Sequence, residues 1–169
     1  LQQVVYVGSY SKSISPNVRV GYMLANPELM QKLLHLKMRS GLTTSQVMER
    51  VVYAAIIDGR WRKHLKRLRQ RLAEAHQEVG RHLHRLGFEL FTESDEGMYI
   101  WTRHPAIPDS AALLDDALEK GIMLGPGQLF MVDAKATGWM RFNVAFSTDP
   151  AMWELLEKVF VKHVRRGGM

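Results

Sequence analysis

A chain of 169 residues has room for one domain of ordinary size. Its 46% apolar and 24% charged residues are the composition of a globular protein rather than a disordered one. The absence of cysteine excludes a disulfide framework, thiolate metal sites and a cysteine nucleophile. The balance is basic: 23 Lys+Arg against 17 Asp+Glu give a formal net charge of +6 and a pI near 9.7.

The elements can be taken in chain order. Val4–Val7 is an apolar, β-type run, Gly8–Pro16 is rich in Ser and Gly, and Val18–Leu24 is a second strand candidate. The opening residues read as strand and not as a secretory leader, and no apolar run is long enough to span a bilayer. The expectations are a cytoplasmic protein with no membrane partner. Beginning on a strand without an initiator methionine, the chain is expected to be a piece of a longer protein.

Asn26-Pro27 supplies a cap and a first-turn proline for a helix over Glu28–Met38. Thr43 and Gln46 have capping-box spacing ahead of a helix over Val47–Ile57, which Asp58-Gly59 ends. The clearest helix comes next. Trp61, Leu65, Leu68, Leu72, Ala75, Val79, Leu83 and Leu86 recur at steps of three and four, and Gly87 supplies the stop. About 26 residues of helix extend roughly 39 Å, which suits a connector between two lobes. This stretch also holds the whole charge excess. From Arg60 to Arg85 there are nine Lys/Arg against two acids, a net +7.

Beyond Gly87 the pattern is mixed. Phe88–Phe91 and Met98–Thr102 read as strands around a polar turn in which Glu93, Asp95 and Glu96 are solvated. Asp109 or Ser110 caps a helix through Lys120, closed by Gly121. Ile122–Leu124 is a short strand, Pro126-Gly127 a turn and Trp139–Ala145 a strand. Asp149-Pro150 opens a last helix with Trp153, Leu156, Val159, Phe160 and Val164 on its apolar face. The domain boundary falls inside the long helix near Arg60–Leu65, giving segments 1–59, 60–86 and 87–169.

Two places carry chemistry. The first is Gly8-Ser9-Tyr10-Ser11-Lys12, followed by Pro16, Arg19, Gly21 and Tyr22. A strand ends at Val7, and a loop of small hydroxylic residues then presents a lysine and, shortly after, an arginine. Hydroxyls and a forked guanidinium make a phosphate site. A lysine beside such a site can form a Schiff base with a carbonyl whose phosphate the neighbours hold, which describes pyridoxal phosphate. The second place is Arg141, set between Met140 and Phe142 in an otherwise apolar strand. A guanidinium there needs a partner, either a structural ion pair or a bidentate clamp on a substrate carboxylate. The histidines show no metal-ligand spacing, and no metal is expected.

The spacing Ser-x-Ser-Lys-x-x-x-Pro-x-x-Arg-x-Gly-Tyr resembles the lysine segment of fold-type I pyridoxal-phosphate enzymes of aminotransferase class I/II. Leu36–Met38 with Gly41–Thr43, Glu49–Tyr53 and Gly59–Arg69 are similar to the aminotransferase-like domain of MocR-type GntR transcriptional regulators. Glu96–Trp101 resembles the Gly-Gly-Met-Phe-x-Trp strand, with Glu96 in place of the first glycine. Leu124–Phe130 resembles the Pro-Gly-x-x-Phe loop that borders the substrate, and Trp139–Ala145 the Leu-Arg-Phe-Asn-Val-Ala segment.

The resemblance implies an α/β fold: the end of the large domain, the connecting helix, and a small α/β domain with a short, mainly antiparallel sheet. It implies that Lys12 is catalytic, that Ser9, Ser11 and Arg19 join it in holding pyridoxal 5'-phosphate, and that Arg141 clamps the carboxylate of an amino acid or 2-oxo acid. A bacterial homodimer is expected. The cofactor's other partners, and a winged helix-turn-helix through which alone DNA would be bound, are placed upstream of Leu1. Such a chain belongs either to an aminotransferase or to a regulator that senses an effector with little turnover. By itself it is expected to be inactive and to hold the cofactor poorly, if at all. A competing reading, that the basic helix itself meets nucleic acid, would follow from charge alone, but such a charge run is usually a solvated face, here that of a connector.

Overall fold

The computed structural model describes residues 3–41 and 43–167, so Leu42 of the Gly41–Thr43 motif lies outside the described residues. The chain forms two compact units, Leu1–Leu68 and Arg69–Met169.

In the first unit, β1 (Tyr6–Ser9) pairs antiparallel with β2 (Gly21–Leu24), with Ser9 opposite Gly21 and Tyr6 opposite Leu24. The strands lie later than the apolar runs suggest. Val18 and Val20 are buried in the loop's return instead of in a ladder, so their apolarity reports packing and not strand. Helix α1 (Pro27–Ser40) starts where expected: the Asn26 side chain accepts a hydrogen bond from the Leu29 amide at 2.8 Å. Helix α2 (Gln46–Ile57) does not use the Thr43 box. Its cap position is Ser45, which makes no side-chain cap bond, and Lys37 donates to Thr44 Oγ1 at 3.0 Å. Val18, Val20 and Val52 form a small core, with Tyr10, Ile14, Met48 and Ile56 packed on it.

Helix α3 (Arg60–Arg85) has the expected limits. It opens with the Asp58 carboxylate accepting from the Arg60 amide at 2.9 Å, and Gly87 ends it in the left-handed region at φ 82°. The division between the units falls within this helix.

In the second unit, β3 (Glu89–Leu90), β4 (Tyr99–Arg103), β5 (Gly125–Pro126) and β6 (Trp139–Asn143) form a four-stranded antiparallel sheet in the order β3-β4-β6-β5. The strand expected at Ile122–Leu124 is displaced to Gly125–Pro126. Ile122 and Leu124 are buried because they pack on the core, while the ladder with β6 begins only at Gly125. The single helix expected over Asp109–Lys120 is a 3₁₀ turn (Ser110–Leu113) followed by the short α4 (Leu114–Leu118). Gly121 closes it at φ 74°. Helix α5 (Pro150–Gly167) is capped by Asp149, whose carboxylate accepts from the Ala151 amide at 2.9 Å. Val79 and Leu83 from α3, Met140 and Phe142 from β6, and Trp153, Leu156 and Phe160 from α5 meet in one core.

The sheet alternates as a pleated strand must. Ile100 and Thr102 of β4 and Met140 and Phe142 of β6 face the core. Tyr99, Trp101, Arg103, Trp139, Arg141 and Asn143 share the other face. Trp101 and Trp139 stack there with centroids 6.0 Å apart, and Arg103 lies 5.1 Å over the Trp139 ring.

Candidate functional site

Loop Tyr10–Val20 carries the first group. It is closed at its base by the Tyr10 amide donating to the Val20 carbonyl at 3.0 Å, one step beyond the Ser9–Gly21 pair. Glycine is required at Gly21, where β2 begins, and is favoured at Gly8 by the Tyr22 ring. A β-carbon on Gly21 would sit 2.8 Å from the Gly8 carbonyl oxygen, and one on Gly8 would collide with the Tyr22 ring. The Tyr22 phenol is pushed above its ordinary value, first by its hydrogen bond with Tyr6 and then by burial.

The loop is pinned from inside. Val18 and Val20 are buried, Tyr10 packs edge-on against Trp61 at 5.7 Å, and the Trp61 indole donates to Ser13 Oγ at 3.2 Å. What remains outside is the polar set. Ser9 Oγ accepts from the Ser11 amide at 3.2 Å, which turns the chain and leaves the Ser9 hydroxyl hydrogen free to donate. Lys12 is exposed, and among the described residues neither its amine nor the Arg19 guanidinium has an ion-pair or hydrogen-bond partner. Arg19 is itself left-handed, φ 49° and ψ 31°, a conformation costly for a residue with a β-carbon.

The donor set fits a phosphorylated carbonyl compound. Two uncompensated cations and two hydroxyls arise from the end of β1 and the loop that follows, and among the described residues no carboxylate pairs with the cations. Ser9 thus ends β1, and Ser11, Lys12 and Arg19 follow in the loop it opens. A separate depression of about 440 Å³ adds Lys37, Thr43, Thr44 and Ser45 to Arg19, but not Lys12. Neither Trp61, which braces the loop from 48 residues away, nor Lys37 was apparent in the sequence. The spacing of Trp61 identified only an apolar stripe.

Arg141 belongs to the second unit, and its setting corrects the expectation of a guanidinium enclosed in an apolar strand. Alternation puts Met140 and Phe142 inward and Arg141 on the opposite, half-buried face. No carboxylate pairs with it among the described residues. Instead its Cζ lies 4.1 Å from the centre of the Tyr99 ring and 3.9 Å from that of Phe130. Among the described residues no hydrogen-bond acceptor engages its N–H groups. Arg141 lines a cavity of about 510 Å³ with Tyr99, Met123, Leu129, Phe130 and Phe146 among others. Tyr99 was not visible as its partner, because the pairing depends on the β4–β6 register.

Among the described residues, no group of three His, Asp or Glu side chains could hold a metal ion, and no helix is long and apolar enough to cross a membrane.

With both sets of residues placed, comparison with known proteins gives the family. Residues 2–159 match aminotransferase class I and II, and the chain belongs to that family. It is 30% identical over 147 residues to 2-aminoadipate transaminase of Thermus thermophilus, covering 84% of this chain and 36% of that protein. It is 31% identical over 145 residues to the uncharacterized HTH-type transcriptional regulator YdcR of Escherichia coli, covering 85% and 31%. The fold is that of the aminotransferases. LysN, the alpha-aminoadipate aminotransferase of Thermus thermophilus solved with N-(5'-phosphopyridoxyl)-L-leucine, superposes with a TM-score of 0.83 at 25% identity, over 98% of this chain and 43% of that one. The chain thus spans about a third of the length of the curated relatives it matches.

Proposed function

We propose that the chain is the C-terminal part of a pyridoxal-phosphate-dependent aminotransferase-like protein acting on amino acids and 2-oxo acids. Segment 1–59 belongs to its large domain, 60–86 is the connecting helix and 87–169 the small domain. The observation that carries this reading is the Lys12 loop, which presents a free amine, a free guanidinium and two hydroxyls from a scaffold pinned by Val18, Val20 and Trp61. Pyridoxal phosphate, when bound, supplies an electrophilic carbonyl and an electron-withdrawing ring.

The chain's own residues divide the remaining work. Lys12 would hold the cofactor through its Nζ and, once a substrate amine had taken that place, would move the proton at the substrate Cα. The Ser9 and Ser11 hydroxyls and the Arg19 guanidinium bind the phosphate. Arg141 orients the substrate carboxylate through its unpaired N–H groups. A homodimer is part of the proposal.

The full-length protein carrying this chain is expected to show visible absorbance with added cofactor and to lose it on Lys12→Ala. Absorbance unchanged in that variant would sink the assignment.

A second reading is favoured by the similarity to an HTH-type regulator. In it, the same residues sense the cofactor or an amino acid and turnover is slight, while DNA is bound by a preceding domain. Steady-state transamination by the full-length protein separates the two. Turnover comparable to that of aminotransferases selects the enzyme. Effector-dependent DNA binding without turnover selects the regulator.

A further inference from the structure

One buried hydroxyl in the second unit joins the two segments that carry Arg141 and Phe130. Ser110 is 1% exposed. Its Oγ donates to the Trp139 carbonyl at 2.7 Å and accepts from the Gly127 amide at 3.2 Å. A serine hydroxyl has one hydrogen to give and lone pairs to receive, so both bonds are made at once. Strands β5 and β6 pair Gly125 with Arg141 and Pro126 with Met140. One step further along that register, Gly127 stands opposite Trp139. Ser110 Oγ bridges these two residues and so extends the pairing by one step through a side chain. The Ser110 amide adds a third tie, to the Thr137 carbonyl at 2.8 Å. The junction is tight. A β-carbon on Gly127 would collide with the Trp139 carbonyl oxygen, and one on Gly125 would sit 2.9 Å from that of Arg141. Arg141 follows Trp139 by two residues in β6, and Phe130 ends the 3₁₀ turn that begins at Gly127.

From this we infer that Ser110 is a positioning residue for Arg141. Its hydroxyl fixes the Gly127–Phe130 turn against β6, and with it the Phe130 ring 3.9 Å from the guanidinium carbon. Tyr99 reaches the same guanidinium by a separate route, the β4–β6 register. Removing the hydroxyl takes a partner from a buried amide and from a carbonyl together, so the turn gains by moving to find others. That movement carries Phe130 off the guanidinium and leaves Tyr99 in place. An arginine stacked on one ring instead of two has more rotamer freedom, and that freedom is lost again when it meets a carboxylate. Loss of Ser110 Oγ therefore weakens carboxylate binding without removing any contact to the ligand. This last step rests on Arg141 being the carboxylate clamp, whereas the hold of Ser110 on the arginine does not.

The test uses the full-length protein carrying this chain. Phenylglyoxal modifies accessible guanidinium groups, and its rate at Arg141 is read on the peptide by mass spectrometry, with no need of cofactor or turnover. Ser110→Ala is expected to raise that rate at least about threefold. It should also raise, at least about fivefold, the amino-acid concentration that half-saturates the cofactor's spectral change, while the absorbance before addition stays as it was. Ser110→Cys keeps the volume with a far weaker donor and acceptor, carries the same expectation, and serves if the alanine variant does not fold. Ser110→Thr keeps the hydroxyl and should keep the native rate. Val79→Ala truncates the same core away from the residues that line the Arg141 cavity, so it should lower the denaturation midpoint and leave the labelling alone. A native labelling rate in Ser110→Ala and Ser110→Cys would overturn the inference. So would an equal rise in Ser110→Thr or in Val79→Ala, which would reduce the serine's part to volume or to stability. Faster labelling with unchanged half-saturation would uphold the hold on Arg141 and overturn the clamp instead.

Discussion

Arg19 holds a left-handed backbone at φ 49° while its side chain stands free. Residues in this region cost of order 1 kcal/mol or more, and glycine removes that cost. Arg19→Gly is therefore expected to raise stability by about 0.5–1 kcal/mol, seen as a higher denaturation midpoint, while weakening retention of a phosphorylated cofactor by the full-length protein. A fall in stability would show that the guanidinium makes a contact that favours the folded chain.

Titration gives a second prediction at this scale. Burial first, then the Arg85 charge, lowers His82, and burial lowers His104. Asp116 is lowered chiefly by its hydrogen bond from Lys162 and next by that from His163, both at 2.7 Å. A lowered histidine loses folded-state stability as pH falls below its ordinary 6.5, because the unfolded chain takes the proton first. A lowered carboxylate contributes above its ordinary 3.8 and loses that contribution as pH falls through its folded value. Denaturation midpoints should thus decline in two stages on acidification. Asp116→Asn should flatten the lower stage and His82→Gln with His104→Gln the upper.

Ser9, Ser11, Lys12 and Arg19 could be singled out in the sequence because they fall within one short stretch. The rings that hold Arg141 were not, since Tyr99 and Phe130 are remote in sequence and meet it only through strand register and the 3₁₀ turn at Gly127–Phe130.

At the scale of elements, two helix starts that look alike in sequence differ in their caps. Asn26 binds the Leu29 amide, whereas Ser45 makes no such bond. Asn26→Ala should cost about 1 kcal/mol and Ser45→Ala a few tenths at most, measured side by side by chemical denaturation. In the long helix, Val79 and Leu83 are fully buried, so Leu83→Ala should cost about 2–5 kcal/mol. An equivalent truncation at exposed Leu36 of α1 should cost far less.

The limits of α3 were readable because a stripe of eight apolar residues and a terminal glycine agree on one period. The strands near Ile122 and Val18 were misplaced for the opposite reason. Short apolar runs report burial, and burial is shared by strands and by irregular segments packed on a core. Thr43 and Gln46 had the spacing of a capping box but not the backbone, because the helix begins at Gln46 itself.

For the molecule as a whole, the two units differ in what holds them. Among the described residues, the first has three buried apolar side chains in its core, the second seventeen. Opening free energies follow such differences in buried contacts. Amide hydrogen exchange of the chain should therefore be fast across residues 3–41 and 43–57 and slowest in α5, β6 and the Val79–Leu83 turn of α3. Equal protection in both would contradict the core sizes. The fold class was legible from the order of elements and the lysine motif together. The sheet order β3-β4-β6-β5 was not, because it is set by pairings far apart in the chain.

The pairing of β1 with β2 also constrains how this loop can evolve. At Gly21 the obstacle is the Gly8 backbone oxygen, which no substitution removes. At Gly8 it is a side chain, the Tyr22 ring. Gly21 is thus closed to change outright, whereas Gly8 opens once Tyr22 has become smaller. The order of the two mutations, and not their sum, decides whether a lineage can pass between those sequences with the lysine loop intact.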